Sequence, residues 1–151
     1  MSIEQRLKHL KIALPKVGPP LGSYVHAKRV GNLLYLSGKG PHSPQGMPKG
    51  KLGAGVSIEQ GAAAARGCAI NLLAQIKAAL GDLDKVVRVV RLGGFINSAP
   101  DFVDGPKVMN GASDLMVAVL GDKGRHARST VGVAALPADA AVEVEGTFEV
   151  S

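Results

Sequence analysis

The stretch Ala141-Val142-Glu143-Val144-Glu145-Gly146-Thr147-Phe148-Glu149-Val150 alternates between apolar and polar side chains. Val142, Val144, Phe148 and Val150 fall on one side, and Glu143, Glu145, Thr147 and Glu149 on the other. That is the period-two geometry of a strand with one buried face and one acid-bearing face. Upstream, Arg128–Ala135 reads as a second strand, set off by the turn Leu136-Pro137-Ala138-Asp139. If these two pair as a hairpin, Arg128 lies opposite about position 144, close to Glu143.

Further out, the Val-rich run Lys85–Phe95 reads as a strand ending near Gly93-Gly94. Tyr24–Val30 and Leu33–Ser37 flank Gly31-Asn32 and predict a tight hairpin, followed by an exposed Gly/Pro/Lys-rich loop over Gly38–Gly55. Ser57 with Gln60 has capping-box spacing and opens a long helix, with Ile58, Ala62, Ala65, Ala69, Leu72, Leu73, Ile76 and Leu80 as its apolar stripe and Gly81 as its stop. Many of those positions are alanine, so the helix backbone can approach its neighbours closely. Gly105-Pro106 starts a further helix that buries Val108, Ala112, Leu115, Met116 and Val119. Ser2 with Gln5 repeats the capping signal, predicting a short helical extension over residues 1–12. The expected fold is α+β: one domain over 1–151, with two helices on one face of a mixed sheet. The other face awaits solvent or a partner, and the small residues Gly132, Ala134 and Ala135 suit close packing there.

Composition narrows the function classes. The chain has 151 residues, is 46% hydrophobic, and has three Phe, two Tyr and no Trp. Its core is therefore aliphatic. One cysteine gives no disulfide framework, and Cys68 inside the long helix reads as a small core hydrophobe. No apolar run is long enough to span a membrane and no secretory stretch opens the chain, so a cytoplasmic protein is expected. The net charge is +6. Residues 1–51 hold nine Lys/Arg against Glu4 alone, while the remainder is slightly acidic. Such a basic third fits either a polyanion surface or a solvated face. The scarcity of aromatics for base stacking argues against a nucleic-acid partner.

Motif patterns exclude more. Gly50-Lys51 is followed by Leu52, which breaks the phosphate-loop pattern, and Gly53-Ala54-Gly55 has Ile58 where a dinucleotide fingerprint needs glycine. His9, His26, His42 and His126 lack partners at metal-ligand spacing. What remains is Arg128 and Glu143. An arginine fork matches the two oxygens of a carboxylate, and a nearby glutamate can orient or deprotonate water. A structural Arg–Glu ion pair fits the same spacing.

The segments Ala127-Arg128-Ser129, Ala135-Leu136-Pro137 and Val142-Glu143-Val144-Glu145 together resemble the C-terminal signature of the RidA/YjgF family of imine and enamine deaminases, also labelled endoribonuclease L-PSP. Leu36-Ser37-Gly38 and Gly22-Ser23-Tyr24 resemble its weaker N-terminal elements. The resemblance implies a chorismate-mutase-like subunit in a homotrimeric barrel with a cleft at each interface. It assigns Arg128 to the substrate carboxylate and Glu143 to the hydrolytic water. Tyr24 and the Ser37–Gly38 backbone become cleft-lining positions contributed across the interface, Asn110 a helix asparagine near the site, and Thr130 stands where many members have cysteine. It implies hydrolysis of 2-imino and 2-enamino acids such as 2-aminoacrylate, without metal or organic cofactor. Ser23, Lys39-Gly40 and the segment 93–100 depart from the family pattern, which marks a divergent subgroup. A non-catalytic small-molecule-binding trimer, or an RNA-binding or endoribonuclease protein, remains the alternative.

Overall fold

A computed structural model describes residues 1–151. In chain order the elements are α1 (Ile3–His9), β1 (Ala27–Val30), β2 (Leu33–Lys39), β3 (Lys51–Leu52), β4 (Gly55–Val56), α2 (Ile58–Leu80), β5 (Val86–Asn97), α3 (Gly105–Leu120), β6 (Ala127–Val133) and β7 (Val142–Val150). The five long strands form one mixed sheet in the order β1-β2-β7-β5-β6, antiparallel except for the β5–β6 pair. Three helices are present: α2 and α3 cover one face, and α1 joins that layer through buried Leu7. This is the expected α+β architecture with one helix more than the two over the sheet. No helix is long and apolar enough to cross a membrane.

Local chemistry explains the ends of the elements. Ser2 and Ser57 each accept from the backbone N–H three residues on, and Gln5 and Gln60 reciprocate, completing both capping boxes. Each cap contributes about 1 kcal/mol. Helix α1 closes differently. Ile12 N–H reaches back to Leu7 O at 2.9 Å, which puts Lys11 in the left-handed region at φ 58°. Glycine is the usual residue there, and a side chain costs about 1 kcal/mol or more.

Helix α2 is buried more broadly than a single stripe: Gly61, Ala64, Gly67, Cys68, Ile70 and Ala74 are also covered, because α3 packs along one side and β7 along another. The alanines do permit close approach. A Cβ at Gly111 of α3 would lie 2.0 Å from the Ala62 carbonyl oxygen, so the two backbones nearly touch.

The expected hairpin between β6 and β7 does not form. Strand β5 lies between them, paired with both. The physical reason is the α3 crossover: β5-α3-β6 is a β-α-β unit, and such a connection returns the chain parallel to its starting strand. The segment after β6 then crosses the end of β5. Asn97, only 1% exposed, anchors it by donating to Gly50 O, Ala140 O and Asp139 Oδ1, each at 3.2 Å. Lys51 completes this node by donating to Asn97 Oδ1 at 2.8 Å and to Ala134 O. The 38–55 segment is therefore less open than expected, since it holds a buried lysine, β3 and a polar anchor.

Candidate active site

Register fixes which way each candidate side chain points. Arg128 pairs with Leu92 and Thr130 with Gly94, which puts both on the face covered by the helices. Glu143 pairs with Phe95, and Glu145 with Gly93, which puts both on the uncovered face. Arg128 and Glu143 are thus on opposite faces and separated by β5. The neighbouring ladder positions inferred from the hairpin are corrected by this topology, and no ion pair joins the two residues. The candidate residues fall into two separate clusters, each a candidate half-site.

The first half-site is built on the β6 edge and α3. Arg128 Nη1 donates to Ser113 Oγ at 3.0 Å, and Nη2 donates to Pro106 O at 3.4 Å. Asn110 is exposed and lies between those two partners on one stripe of α3, four residues after Pro106 and three before Ser113. Ser113 is held in turn by His126. The His126 Nδ1–H donates to Gly124 O at 2.6 Å, so in the neutral ring Nε2 accepts the Ser113 hydroxyl at 2.9 Å. The result is a chain from Gly124 through His126 and Ser113 to the guanidinium. No carboxylate neutralises Arg128. Beside it, Thr130 Oγ1 is buried with no hydrogen-bond partner, at a cavity of about 150 Å³ bordered by Phe102, Gly105 and Ser98.

The second half-site gathers where β2 meets β7. Leu36 pairs with Gly146 and Lys39 with Val144, so Ser37 and Gly38 together stand opposite Glu145 in a bulge. The bulge brings Gly38 against Glu143, where a Cβ would sit 2.8 Å from Oε2. Ser37 secures the approaching chain: its Oγ donates to Val25 O at 2.7 Å and its N–H to His26 O at 2.9 Å. That fixes Tyr24, which is half exposed and meets the His26 ring edge-on at 6.4 Å. His26 Nε2–H donates to Gly18 O at 2.8 Å, leaving Nδ1 to accept from Lys39. Lys39 is 7% exposed, and burial lowers its amine's pKa while the Glu143 carboxylate opposes the shift. A cleft of about 350 Å³ opens beside Glu143, walled by Gly40, Met47, Lys49 and Pro137.

The structure therefore brings Arg128, Thr130 and Asn110 to one place, and Glu143, Gly38, Ser37 and Tyr24 to another. Reading the sequence missed Ser113, His126 and Lys39. Cys68 is buried in the core, donating to Val142 O at 3.4 Å, and burial first and Glu143 second push its thiol pKa well up. No group of three or more His, Cys, Asp or Glu has metal-binding geometry.

The chain is thus a one-sided α+β sheet with an arginine that no carboxylate neutralises at one edge and a glutamate on the bare face. The family model described as "YjgF/chorismate mutase-like, putative endoribonuclease" matches residues 4–145. The chain belongs to that family. It is 46% identical over 151 residues to protein TCP17 of Trypanosoma cruzi, covering 99% of this chain and 94% of that one. A solved Shewanella oneidensis structure, described as a "putative endoribonuclease", is 32% identical with a TM-score of 0.95, covering 99% of this chain and all of that one. RidA from the Antarctic bacterium Psychrobacter is 30% identical with a TM-score of 0.60, covering 89% of this chain and 94% of that one. The gap between those two scores at similar identity places this chain in a subgroup divergent from RidA itself.

Proposed function

We propose that this protein hydrolyses reactive 2-imino and 2-enamino acids to 2-oxo acids and ammonia, in clefts completed between copies of the chain. The observation that carries the reading is a pair of opposite charges held on different faces, neither in an ion pair within the chain: Arg128 on its Ser113–His126 support, and Glu143 against Gly38. One chain cannot bring both to one small substrate; the Arg128 half-site of one copy facing the Glu143 half-site of the next can. A homotrimer with a cleft at each interface, as the family resemblance implies, would meet that need. The apolar exposure on and beside the bare sheet, at Tyr35, Val90 and Val131, supports burial there by partner copies.

In this scheme the Arg128 fork binds the substrate carboxylate and the backbone at Ser37–Gly38 and the Tyr24 ring close the cleft. Asn110 and the Thr130 hydroxyl contact the substrate beside Arg128. Glu143 orients a water against the imine carbon, takes its proton as the C–O bond forms and passes that proton to the nitrogen. The carbinolamine then collapses with loss of ammonia, so R–C(=NH)–COO⁻ and water give R–CO–COO⁻ and ammonia. The imine carbon is already electrophilic, and orientation supplies most of what is needed. No cofactor enters this scheme.

The test generates 2-aminoacrylate in situ and follows ammonia and pyruvate. Acceleration over the spontaneous rate that vanishes in Arg128→Ala supports the reading. A spontaneous rate unchanged by the wild-type protein across several imino acids sinks it. Binding of a 2-oxo acid without turnover would point instead to a non-catalytic binding protein using the same cleft.

A further inference from the structure

Helix α2 does not turn all its covered residues to the sheet. Ala63, Arg66, Gly67 and Ile70 meet two segments that cross the helical side, 11–13 and 42–47, and a groove of about 320 Å³ opens between them. Its rim carries Lys11, His42 and Arg66, and its apolar lining includes Ile12, Met47 and Ile70. No Asp or Glu lines it. None of the three basic side chains is in an ion pair or a side-chain hydrogen bond.

Two backbone features shape this groove. A Cβ at Gly67 would lie 2.6 Å from His42 O and 2.9 Å from His42 N, so only glycine lets the His42 backbone settle on the helix. Lys11 sits at the left-handed position that ends α1, at φ 58°, where glycine would close the turn with less strain. The chain thus tolerates strain at a position whose side chain adds a cation to the rim.

We propose that this groove binds a small anion on an apolar body, an organic phosphate or carboxylate. Its head meets Lys11, His42 and Arg66, and its body lies on Ile12, Met47 and Ile70. The volume is at the lower end of small-ligand pockets, which fits a body of one ring. The site is separate from both half-sites and does not depend on the deaminase reading. Only Met47 borders both this groove and the cleft beside Glu143.

The experiment is calorimetric titration of the full chain with phenyl phosphate at low salt, with phenol as the neutral control. One molecule should bind per chain and phenol should not. Arg66→Ala should weaken binding about tenfold, the loss expected of a charge-assisted hydrogen bond. Lys11→Gly should weaken it severalfold while raising the thermal midpoint, because glycine relieves the left-handed residue; strain without a ligand role would give only the second effect. Arg128→Ala should leave binding intact. The inference is overturned if phenyl phosphate does not bind, or if phenol binds as well. It is equally overturned if Lys11→Gly and Arg66→Ala bind like wild type, or if Arg128→Ala abolishes binding. Phosphatidylglycerol vesicles binding where phenyl phosphate does not would assign the basic rim to membranes and also overturn it.

Discussion

Arg128 and Glu143 point away from each other through the sheet, Arg128 beside Leu92 under the helices and Glu143 beside Phe95 on the bare face. Two inactive variants should therefore rescue each other. Arg128→Ala and Glu143→Gln subunits, each inactive alone, should regain deaminase activity when unfolded together and refolded as mixed oligomers, because some interfaces then pair an intact arginine with an intact glutamate. Ammonia release by the mixture is the measurement. Mixtures as inactive as their parents, in oligomers shown by mass to be mixed, would count against a shared cleft.

Ser113 is the acceptor that steadies one arm of the Arg128 fork. Ser113→Ala leaves that arm without a partner and should raise KM for 2-imino acids by roughly twofold to tenfold, the range for one hydrogen bond, with kcat changed far less. Ser113→Thr keeps the hydroxyl and should restore much of the loss. Steady-state kinetics on the three proteins decide the matter; a fall in kcat at constant KM would show that Ser113 does something other than hold the clamp.

Much of this architecture is legible locally, and the remainder is not. The β7 alternation, the two capping boxes and the apolar stripe of α3 depend on neighbours within a few residues, and the structure repeats them, with Met109 and Leu120 buried beside the expected α3 stripe. The partner of β6 depends on where α3 carries the chain, which no short window contains, and so the hairpin inferred across 136–139 failed. The same limit hid the site's supports. His126 is thirteen residues from Ser113, and Lys39 thirteen from His26. Only the folded register makes them neighbours. Gly38 against Glu143 spans most of the chain, and the family resemblance named both residues without pairing them.

Thr130 hides a hydroxyl with nothing to bond to. Replacing an unpaired buried hydroxyl with a methyl of the same shape costs little and can stabilise. Thr130→Val should therefore unfold at the same or slightly higher denaturant concentration than wild type. If the hydroxyl serves the substrate, the same variant should lose roughly fivefold to tenfold in kcat/KM, about one hydrogen bond. Urea titration and initial rates on one preparation test both halves. Marked destabilisation would show that the hydroxyl is already satisfied in the fold.

At Gly111 the backbones of α2 and α3 approach closely. An alanine Cβ there would meet the Ala62 carbonyl oxygen at 2.0 Å, against backbone rather than a yielding side chain. Alanine is the better helix former, so propensity alone predicts a gain of up to about 1 kcal/mol. Overpacking should outweigh it, and Gly111→Ala should be destabilised by about 2 kcal/mol net. The urea midpoint would fall accordingly; an unchanged or higher midpoint would mean that the helices can separate without loss.

Lys39 makes stability depend on pH in a definite direction. Burial lowers its pKa in the folded protein, with Glu143 opposing and the neutral His26 ring as its hydrogen-bond acceptor. Between that lowered value and the ordinary lysine range, the unfolded chain binds more protons than the folded one, so this group's contribution to stability rises with pH. Below the lowered value both states are protonated, and the cost of burying the charge is felt in full. Lys39→Met carries no such charge. The stability difference, Lys39→Met minus wild type, should therefore be greatest near neutral pH and shrink as pH climbs towards the ordinary lysine range. Urea unfolding of both proteins at several pH values from neutral upward measures this. A constant difference would show that Lys39 titrates alike in the folded and unfolded chain, and one that grows with pH would show that its folded-state pKa is raised rather than lowered.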